Sequence, residues 1–259
     1  MVRALFTAWT GMYNEQRRMN VVANNMANAD TTGFKKVGST SKAFDEELAI
    51  RIHDMNREGM KHKVGTLNGG VKIGETYIDY SQGNIKITDG QYDFALDGSG
   101  FFTIQSTDKN GGVHTRYTRD GAFVVTQDGF LQTKDGDSVI GKDGNPIRIP
   151  GAQTSALSCD ELGNLYVNNQ NVGQFNLVDF EDYDTVTLYG ETMWDTTDRT
   201  QINPATCGVI QGYLETSNVN VVTEMVDMIA ISRQYETNQK MIQTVDQVLD
   251  KAANEIGRV

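Results

Sequence analysis

Two hydrophobic patterns divide this chain. In residues 2–30 and 220–257, apolar side chains recur at alternating spacings of three and four, the period of an α-helix with a narrow apolar seam. From about residue 72, apolar and polar residues alternate at every second position and are interrupted by turns, as in β-strands. The patterns predict an α+β protein with a long helix at each end and a central antiparallel β domain of short hairpins.

The C-terminal seam is the more regular of the two. Its members, over four heptads, are Met228, Ile231, Tyr235, Asn238, Ile242, Val245, Leu249, Ala252 and Ile256. The N-terminal seam consists of Leu5, Trp9, Met12, Gln16, Met19, Ala23 and Met26. Polar members such as Gln16 and Asn238 lower the stability of a seam but specify its register and partner. We therefore expect the helices to pair as a coiled coil and to form an assembly interface; amphipathic helices packed on their own domain are the alternative.

Three asparagines lie at the end of the N-terminal helix, at Asn24, Asn25 and Asn28. We expect their amides to form hydrogen bonds across helices in an assembly and to set its register, against the alternative of solvated amides on a polar face. The helix should stop at residues 30–33, where Gly33 can adopt a left-handed conformation.

After that stop, Phe34 can fold back on the last turn, and Lys35 and Lys36 suit the negative end of the helix. The next residues lack a clean period: 44–55 fits a short helix or a strand, and 57–70 resembles a loop. The predicted organisation is a terminal helical domain of 1–34 and 216–259, connectors at 35–71 and 191–215, and an antiparallel β domain at 72–190.

Asp-Gly pairs punctuate the β region, beginning at residues 89, 97, 120, 128, 135 and 143. This dipeptide is typical of type I′ hairpin turns, in which both central residues need a positive φ. Four pairs are spaced seven or eight residues apart, which predicts a meander of short antiparallel strands.

Composition excludes several partners. The 259 residues carry a net charge of -11, and no basic run with interleaved aromatics occurs, so we expect no nucleic-acid partner. The N-terminus lacks the apolar region of a secretory signal peptide, and no stretch approaches about eighteen apolar residues, so we expect no membrane insertion. The chain is predicted to be cytosolic or to leave by a route without a cleaved signal.

No residue is predicted to be catalytic or to bind a cofactor or metal. Cys159 and Cys207 are far apart, without a CxxC motif or clustered histidines, and are expected to be isolated buried thiols. His53, His62 and His114 stand near no candidate nucleophile in sequence. The segment DGSGFF (97–102) lacks the third glycine of a dinucleotide fingerprint, and Asp135 and Asp137 lack the remaining ligands of a calcium loop.

Several segments resemble one protein family. ANNMANADTTGFKK (23–36) is similar to the signature that ends the N-terminal helix of bacterial flagellar axial proteins, the rod and hook family, and residues 211–249 resemble that family's C-terminal signature. LDGSGFF (96–102), YTRDGAF (117–123) and DGFLQT (128–133) are similar to words of its β domain. The terminal words are nearest to the distal rod branch. Residues 45–70 and 150–200 match loosely, so the proximal rod branch stays an alternative.

The resemblance implies a structural subunit without enzymatic activity. Such a subunit passes through the flagellar type III export apparatus, polymerises with its own copies into a hollow helical rod of the basal body, adjoins other rod and hook proteins, and transmits motor torque to the hook. Its terminal helices would form an inner coiled layer with the β domain outside. A glycan-binding or hydrolytic β protein is the distant alternative, which a cavity lined by acids, aromatics and histidine would favour.

Overall fold

The computed structural model describes residues 2–51, 62–107, 112–150, 157–197 and 199–256. A long helix stands at each end and short strands occupy the middle, which confirms the α+β class. The helices are α1 (Val2–Ala27) and α2 (Val221–Lys251), followed by a π-helical turn at Ala252–Ile256. The strands are β1 (Val37–Ala43), β2 (Glu47–Arg51), β3 (His62–Leu67), β4 (Val71–Ile78), β5 (Ile85–Ile87), β6 (Phe94–Asp97), β7 (Phe101–Thr107), β8 (Val113–Thr118), β9 (Val124–Val125), β10 (Leu131–Gln132), β11 (Ser138–Val139), β12 (Leu157–Cys159), β13 (Asn164–Val167), β14 (Gln170–Gln174), β15 (Leu177–Phe180), β16 (Val186–Tyr189), β17 (Met193–Thr196), β18 (Ile202–Pro204), β19 (Gly208–Gln211) and β20 (Tyr213–Glu215).

The chain forms two compact units. Unit 1 consists of Met1–Ala27, Val37–Asp79 and Asn220–Val259, and unit 2 of Asn28–Lys36 and Tyr80–Val219. Unit 1 therefore contains both helices and β1 to β4, and unit 2 contains the other strands. No helix in the described ranges is both long enough and apolar enough to cross a membrane.

In unit 1, α1 packs along α2 and against β1 and β4. β1 pairs antiparallel with β4, and β2 with β3. The loop predicted for 57–70 is wrong at residues 62–67, which form β3 and pair with β2, whereas residues 68–70 are loop. Strand propensity depends on the pairing context, which the local sequence does not show. Within 44–55, residues 47–51 form a strand, and residues 52–55, with His53, lie outside the described residues.

α2 begins at a well-defined cap. Asn220 has an extended backbone, and its Oδ1 accepts hydrogen bonds from the backbone N–H groups of Val222, at 3.0 Å, and Thr223, at 3.2 Å. Asparagine is among the preferred residues for this position, because its side chain satisfies amides that the first helical turn leaves without partners. The cap fixes where the chain leaves the extended segment and becomes helical.

Unit 2 is a stack of antiparallel sheets. Among the described strands, the largest sheet has nine members, with β16, β17, β8, β7, β11, β10 and β9 in order and β15 and β18 joined through β7. Strand β7 buries both of its faces: Phe101 belongs to one apolar cluster with Trp194, and Phe102 and Ile104 belong to another with Leu131. Successive side chains of a strand point to opposite faces, so this one strand joins two cores.

The Asp-Gly turns are real, but the predicted turn type is wrong. At three of them, Gly129, Gly136 and Gly144, the glycine has a positive φ while the preceding aspartate does not. In each, the glycine N–H donates to the carbonyl three residues earlier, at 2.9–3.1 Å, as in a type I turn followed by a left-handed glycine. Two consecutive positive φ angles occur instead at Asn168 and Asn169, between β13 and β14. There a pair of asparagines supplies the conformation expected of Asp-Gly.

The segment after α1 also differs from the prediction. α1 ends at Ala27, and Gly33 is left-handed, with φ +70°, but its N–H donates to the carbonyl of Glu215 at 2.9 Å. A Cβ at Gly33 would lie 2.5 Å from the backbone nitrogen of Asp120, so only glycine fits. Phe34 is buried within unit 2. This segment is thus an integral part of the β unit.

Candidate assembly surface

α1 and α2 run side by side in opposite directions. Nδ2 of Asn25 donates to Oε2 of Glu224 at 3.2 Å. Farther along, Gly11 faces Asn238, whose Nδ2 lies 2.9 Å from the place a Cβ on Gly11 would occupy. In both pairs the residue numbers add to 249, which fixes an antiparallel register for the two helices. The absence of a side chain at Gly11 makes room for the Asn238 amide.

The face of α1 that is buried lies one position away from the predicted seam. Leu5, Met12, Met19 and Met26 are half-buried, whereas Trp9, Gln16 and Ala23 are exposed. The buried positions are Ala8, Asn14, Glu15, Val22 and Asn25, and all but Asn14 adjoin a seam position. Glu15 can be buried because Arg18 donates to its carboxylate at 3.0 Å and Asn14 at 3.3 Å. Polar partners within the unit therefore select a face that apolar periodicity alone does not indicate.

On α2 the predicted seam members are mostly covered. Ile231 and Val245 are buried, Met228, Tyr235, Asn238 and Ile242 are half-buried, and Leu249 is exposed. The side chain of Ile256 lies outside the description. Leu249, which is 37% exposed, is thus a large apolar residue of the predicted seam that the described chain covers only in part.

The three asparagines have different surroundings. Asn25 is buried; its Nδ2 donates to the carbonyl of Val37 at 2.9 Å, and its Oδ1 accepts from the Val37 N–H at 3.0 Å. Oδ1 of Asn28, also buried, accepts from Thr31 Oγ1 at 3.1 Å, and Asn24 is exposed. The amide of Asn25 is engaged within unit 1, joining α1 to the start of β1.

Apolar side chains remain exposed on both helices. On α1 they form the aromatic patch of Phe6, Trp9 and Tyr13, exposed by 56%, 52% and 47%. On α2 they form the aliphatic patch of Val222, Met225, Val226 and Ile229, with Met241, Val248 and Leu249 exposed farther along. Both patches repeat at spacings of three and four, so each is a continuous stripe along one helix face.

A second site lies inside unit 2, where three charged side chains are buried together. Glu215, at the end of β20, accepts from Lys35 Nζ at 2.6 Å and from Arg119 Nη1 at 3.2 Å. All three side chains are at most 3% exposed. The same carboxylate accepts the N–H of Gly83 at 2.8 Å, and Lys35 also donates to the carbonyl of Ser81 at 2.7 Å. Lys35 therefore serves this cluster, in contrast to the helix-end role predicted for it.

This cluster ties together segments that are distant in sequence. Residues 28–36 meet it through Lys35 and residues 213–219 through Glu215, and the backbone N–H of Lys36 donates to Asn218 Oδ1 at 2.7 Å. Nearby, Thr32 Oγ1 donates to Asp120 Oδ1 at 2.7 Å. Burial raises the pKa of Asp120, although the hydrogen bonds from Thr32 and from the Ala122 N–H oppose the rise. Within unit 2, buried charges and hydrogen bonds therefore fix the positions of residues 28–36 and 213–219.

Sequence reasoning missed this cluster. Arg119 lies in YTRDGAF (117–123) and Glu215 in the C-terminal signature (211–249), but Arg119 and Lys35 lie 96 and 180 positions from Glu215. The available signal is a single charge at the end of the short strand β20, whose Leu214 is also buried. It suggests a buried ion pair without naming the partners.

Two cavities among the described residues contain little that suggests catalysis. An open groove of about 580 Å³ in unit 1 is lined chiefly by hydroxyls and amides, among them Thr7, Gln234 and Asn238. A cavity of about 280 Å³ in unit 2 is lined by Asp30, Asp120, Asp135 and Glu191 with Lys134, Met193 and several threonines, without an aromatic or histidine among its lining residues. No group of three acidic, histidine or cysteine side chains suited to a metal occurs within the described ranges.

The reactive residue types are separated from one another. Both cysteines are free and half-buried, and burial, aided by Asp160, raises the pKa of Cys159 to about 12, so its thiol stays protonated. His114 is exposed, and the side chain of His62 lies outside the description. The arrangement offers no activated nucleophile among the described residues, whereas the helix patches offer a surface for another protein.

Comparison with known families matches three parts of the chain. Residues 5–35 match the family described as "Flagella basal body rod protein", residues 95–167 match "Flagellar hook protein FlgE/F/G D1 domain", and residues 210–255 match "Flagellar basal body rod FlgEFG protein C-terminal". These ranges include most of α1 and α2 and the central strands of unit 2. They also include all three buried charges, one in each range: Lys35, Arg119 and Glu215.

Individual relatives match over nearly their full length. The flagellar basal-body rod protein FlgG of Buchnera aphidicola subsp. Schizaphis graminum is 35% identical over 97% of this chain and 98% of its own. The flagellar basal-body rod protein FlgF of Caulobacter vibrioides is 32% identical, and the flagellar hook-basal body complex protein FlhO of Bacillus subtilis is 30% identical, each over the full length of both chains.

Proposed function

Because the chain belongs to the family of flagellar basal-body rod proteins, of the FlgG type, we propose that it polymerises through its terminal helices into a hollow helical rod. It is a structural subunit of the flagellar basal body. In the proposal the rod transmits motor torque to the hook, and the subunit reaches its place through the flagellar export apparatus without a cleaved signal peptide. Its neighbours are copies of itself and other axial proteins, and no catalytic step is involved.

One observation carries the proposal: both terminal helices expose continuous apolar stripes. The aromatic patch of α1 and the aliphatic patch of α2 leave large side chains about half in water. A single soluble chain seldom exposes such surface in contiguous stripes, and a polymer would cover it. On each helix, the face opposite the exposed stripe contacts the other helix within unit 1. Each helix can therefore contact its partner helix and a neighbouring copy at once.

In this proposal the helix pair forms the inner layer of the tube and the β domain faces outward. The antiparallel register of α1 and α2 and their interrupted seams suit a coiled-coil pairing that is completed by neighbours. When each identical subunit is rotated relative to the previous one by an angle that does not close, the subunits form a helical filament rather than a ring. The polar members Gln16 and Asn238 would then restrict which neighbour a helix accepts.

A second position in the same structure is also supported by an observation. The relative named FlgF, from Caulobacter vibrioides, matches the full length of this chain about as well as the relatives named FlgG. The proximal part of the rod is therefore the alternative placement. Expression in strains that lack either the distal or the proximal rod gene would separate them, since only the matching strain should regain motility.

Electron microscopy of the purified full chain tests the main proposal. Wild-type protein should form tubes or filaments, and the Leu249→Asp variant should remain unassembled, because a charge replaces a partly exposed apolar side chain of the α2 seam that a neighbour would finish burying. Loss of a packed leucine typically costs about 2–5 kcal/mol. Gln247→Asp is the matched control, since it adds the same carboxylate two positions away on exposed helix surface. Filaments of normal length from Leu249→Asp would contradict a role for this face.

A further inference from the structure

The two exposed patches stand at different levels along the helix pair. In the register fixed by Asn25–Glu224 and Gly11–Asn238, a residue of α1 lies beside the α2 residue whose number completes 249. The aromatic patch of Phe6, Trp9 and Tyr13 is centred near Trp9. It is therefore level with residues near 240 of α2. The aliphatic patch is centred near Val226, about 14 residues away, which is roughly 21 Å at about 1.5 Å per residue.

The aromatic patch is rigidly organised for a contact. The rings of Trp9 and Tyr13 stack with centroids 6.0 Å apart. Arg17 holds the Tyr13 hydroxyl with two hydrogen bonds, of 2.7 and 3.1 Å, and its guanidinium lies 5.2 Å from the Tyr13 ring centroid. Side chains that are already ordered lose little freedom when a partner covers them. The patch is therefore pre-formed before any neighbour arrives.

Chemistry and charge favour α2 as its partner. The aliphatic patch contains Met225, whose sulfur makes favourable contacts with aromatic rings, and β-branched side chains that fit between them. α1 has three arginines and one glutamate, a net charge of +2, whereas α2 has five acidic and three basic residues, a net charge of -2. Contact of α1 with α2 of another copy is thus attractive, and contact of two α1 helices is repulsive.

We propose that the aromatic patch of one copy packs on the aliphatic patch of a second copy, displaced by about 21 Å along the helix axis. This inference rests on the proposed polymerisation and specifies its contact. In the proposed contact the two copies point in the same direction along the helix axis, so the contact is head-to-tail. The bound pair then keeps one unused aromatic patch and one unused aliphatic patch, and growth continues. A two-fold contact between antiparallel copies would use both patches of each copy and stop at a dimer, so dimers of the wild-type chain in place of filaments would overturn the head-to-tail arrangement.

A mixing experiment tests the head-to-tail contact. Trp9→Glu disables the aromatic patch and Val226→Glu the aliphatic patch, and both positions are exposed, so folding should be retained. Each full-length variant alone should lose the ability to elongate. Mixed together, they should form a one-to-one dimer by analytical ultracentrifugation, since each supplies the patch that the other lacks. Filaments from either variant alone, or monomers in the mixture, would overturn the contact.

Cysteine crosslinking tests the displacement. In a background of Cys159→Ser and Cys207→Ser, a Trp9→Cys chain mixed with a Val226→Cys chain should crosslink on oxidation. A Trp9→Cys chain mixed with a Lys240→Cys chain is the control for zero displacement and should crosslink far less, because Lys240 is level with Trp9. The opposite order of yields would overturn the displacement. Wild-type filaments without the first crosslink would refute this contact and leave the proposed function standing; absence of both filaments and crosslinks would refute both.

Discussion

Unit 2 and the helix pair of unit 1 differ in where their large apolar side chains lie. Unit 2 removes its large apolar residues from water completely: Phe94, Phe101, Phe102 and Trp194 are all 0% exposed. The helices expose their aromatic and aliphatic patches while they bury Asn14, Glu15, Asn25 and Glu224. Apolar burial is the main source of folding stability, and buried polar groups mainly specify which partner and register are allowed. Unit 2 therefore has the composition of a self-sufficient core, and the helix pair that of an interface awaiting neighbours.

Even the polar groups that unit 2 buries are used differently. The Lys35–Glu215–Arg119 cluster is closed, with each charge paired inside the unit. On the helices, polar contacts such as Asn25–Glu224 fix register between two elements but leave the outer faces unchanged. This contrast predicts two different outcomes. Mutation of a buried polar residue in unit 2 should destabilise the fold of that unit, and mutation of a buried polar residue on the helices should loosen or misalign the helix pair.

The largest effect is expected from Glu215→Gln. It keeps the shape of the side chain but leaves the charges of Lys35 and Arg119 buried without their partner, which typically costs about 3–5 kcal/mol. Urea unfolding followed through the buried Trp194 should show this loss in the free energy of unfolding of unit 2. Glu161→Gln, at an exposed carboxylate, should change it by less than about 0.5 kcal/mol.

A triple variant separates charge from packing at the same place. Lys35→Met, Arg119→Met and Glu215→Leu together remove all three charges, and replacement of a whole buried ion cluster by apolar residues is often neutral. This variant should recover most of the stability that Glu215→Gln loses. If the triple variant were as unstable as the single one, shape rather than charge pairing would govern the site.

A smaller effect is expected from Asn25→Ala in unit 1. Alanine has the higher helix propensity, but the change removes hydrogen bonds to both backbone groups of Val37 and to Glu224 in a buried place, and each buried group left unsatisfied costs about 1–3 kcal/mol. Hydrogen exchange should therefore accelerate along α1, with unit 2 unchanged. Asn20→Ala, on an exposed part of the same helix, should leave exchange equal or slower. Equal protection in both variants would show that the amide has no such role.

Sequence alone was enough for what depends on periodicity. The helices at both ends, the β-rich middle and the turns at Gly129, Gly136 and Gly144 follow from apolar spacing and glycine placement, and α2 begins within a residue of the predicted start. The face of α1 was off by one position because burial there is decided by hydrogen bonds of Glu15 and Asn25, which apolar periodicity does not record.

The contacts between distant residues could not be predicted in this way. Glu215 meets Lys35 and Arg119 because β20 and two loops converge, and no local pattern of residues along the chain reveals that convergence. The antiparallel register of α1 and α2 has the same origin, since a heptad seam predicts that a helix pairs but leaves its direction open. Assembly residues such as Trp9, on the outer face of α1, and Leu249, near the end of the α2 seam, are predicted from the seams and remain predictions.

The smallest effect concerns the pH dependence of unit 2 through Asp120. Burial raises the pKa of its carboxyl in the folded state, with repulsion from Asp135 adding to the rise and Lys134 opposing it. A raised folded pKa means that the folded state holds the proton more tightly than the unfolded state. This contribution to stability is therefore complete below the unfolded pKa of about 3.9 and is lost as the pH rises through the folded value.

Asp120→Asn keeps an oxygen that accepts from Thr32 and from the Ala122 N–H but cannot ionise. The stability of the variant relative to wild type should thus increase from acid to neutral pH, as measured by urea unfolding across that range. Asp128→Asn, at an exposed aspartate of the next turn, serves as the control for the substitution itself. A flat difference for Asp120→Asn across the pH range would mean that its burial does not affect ionisation.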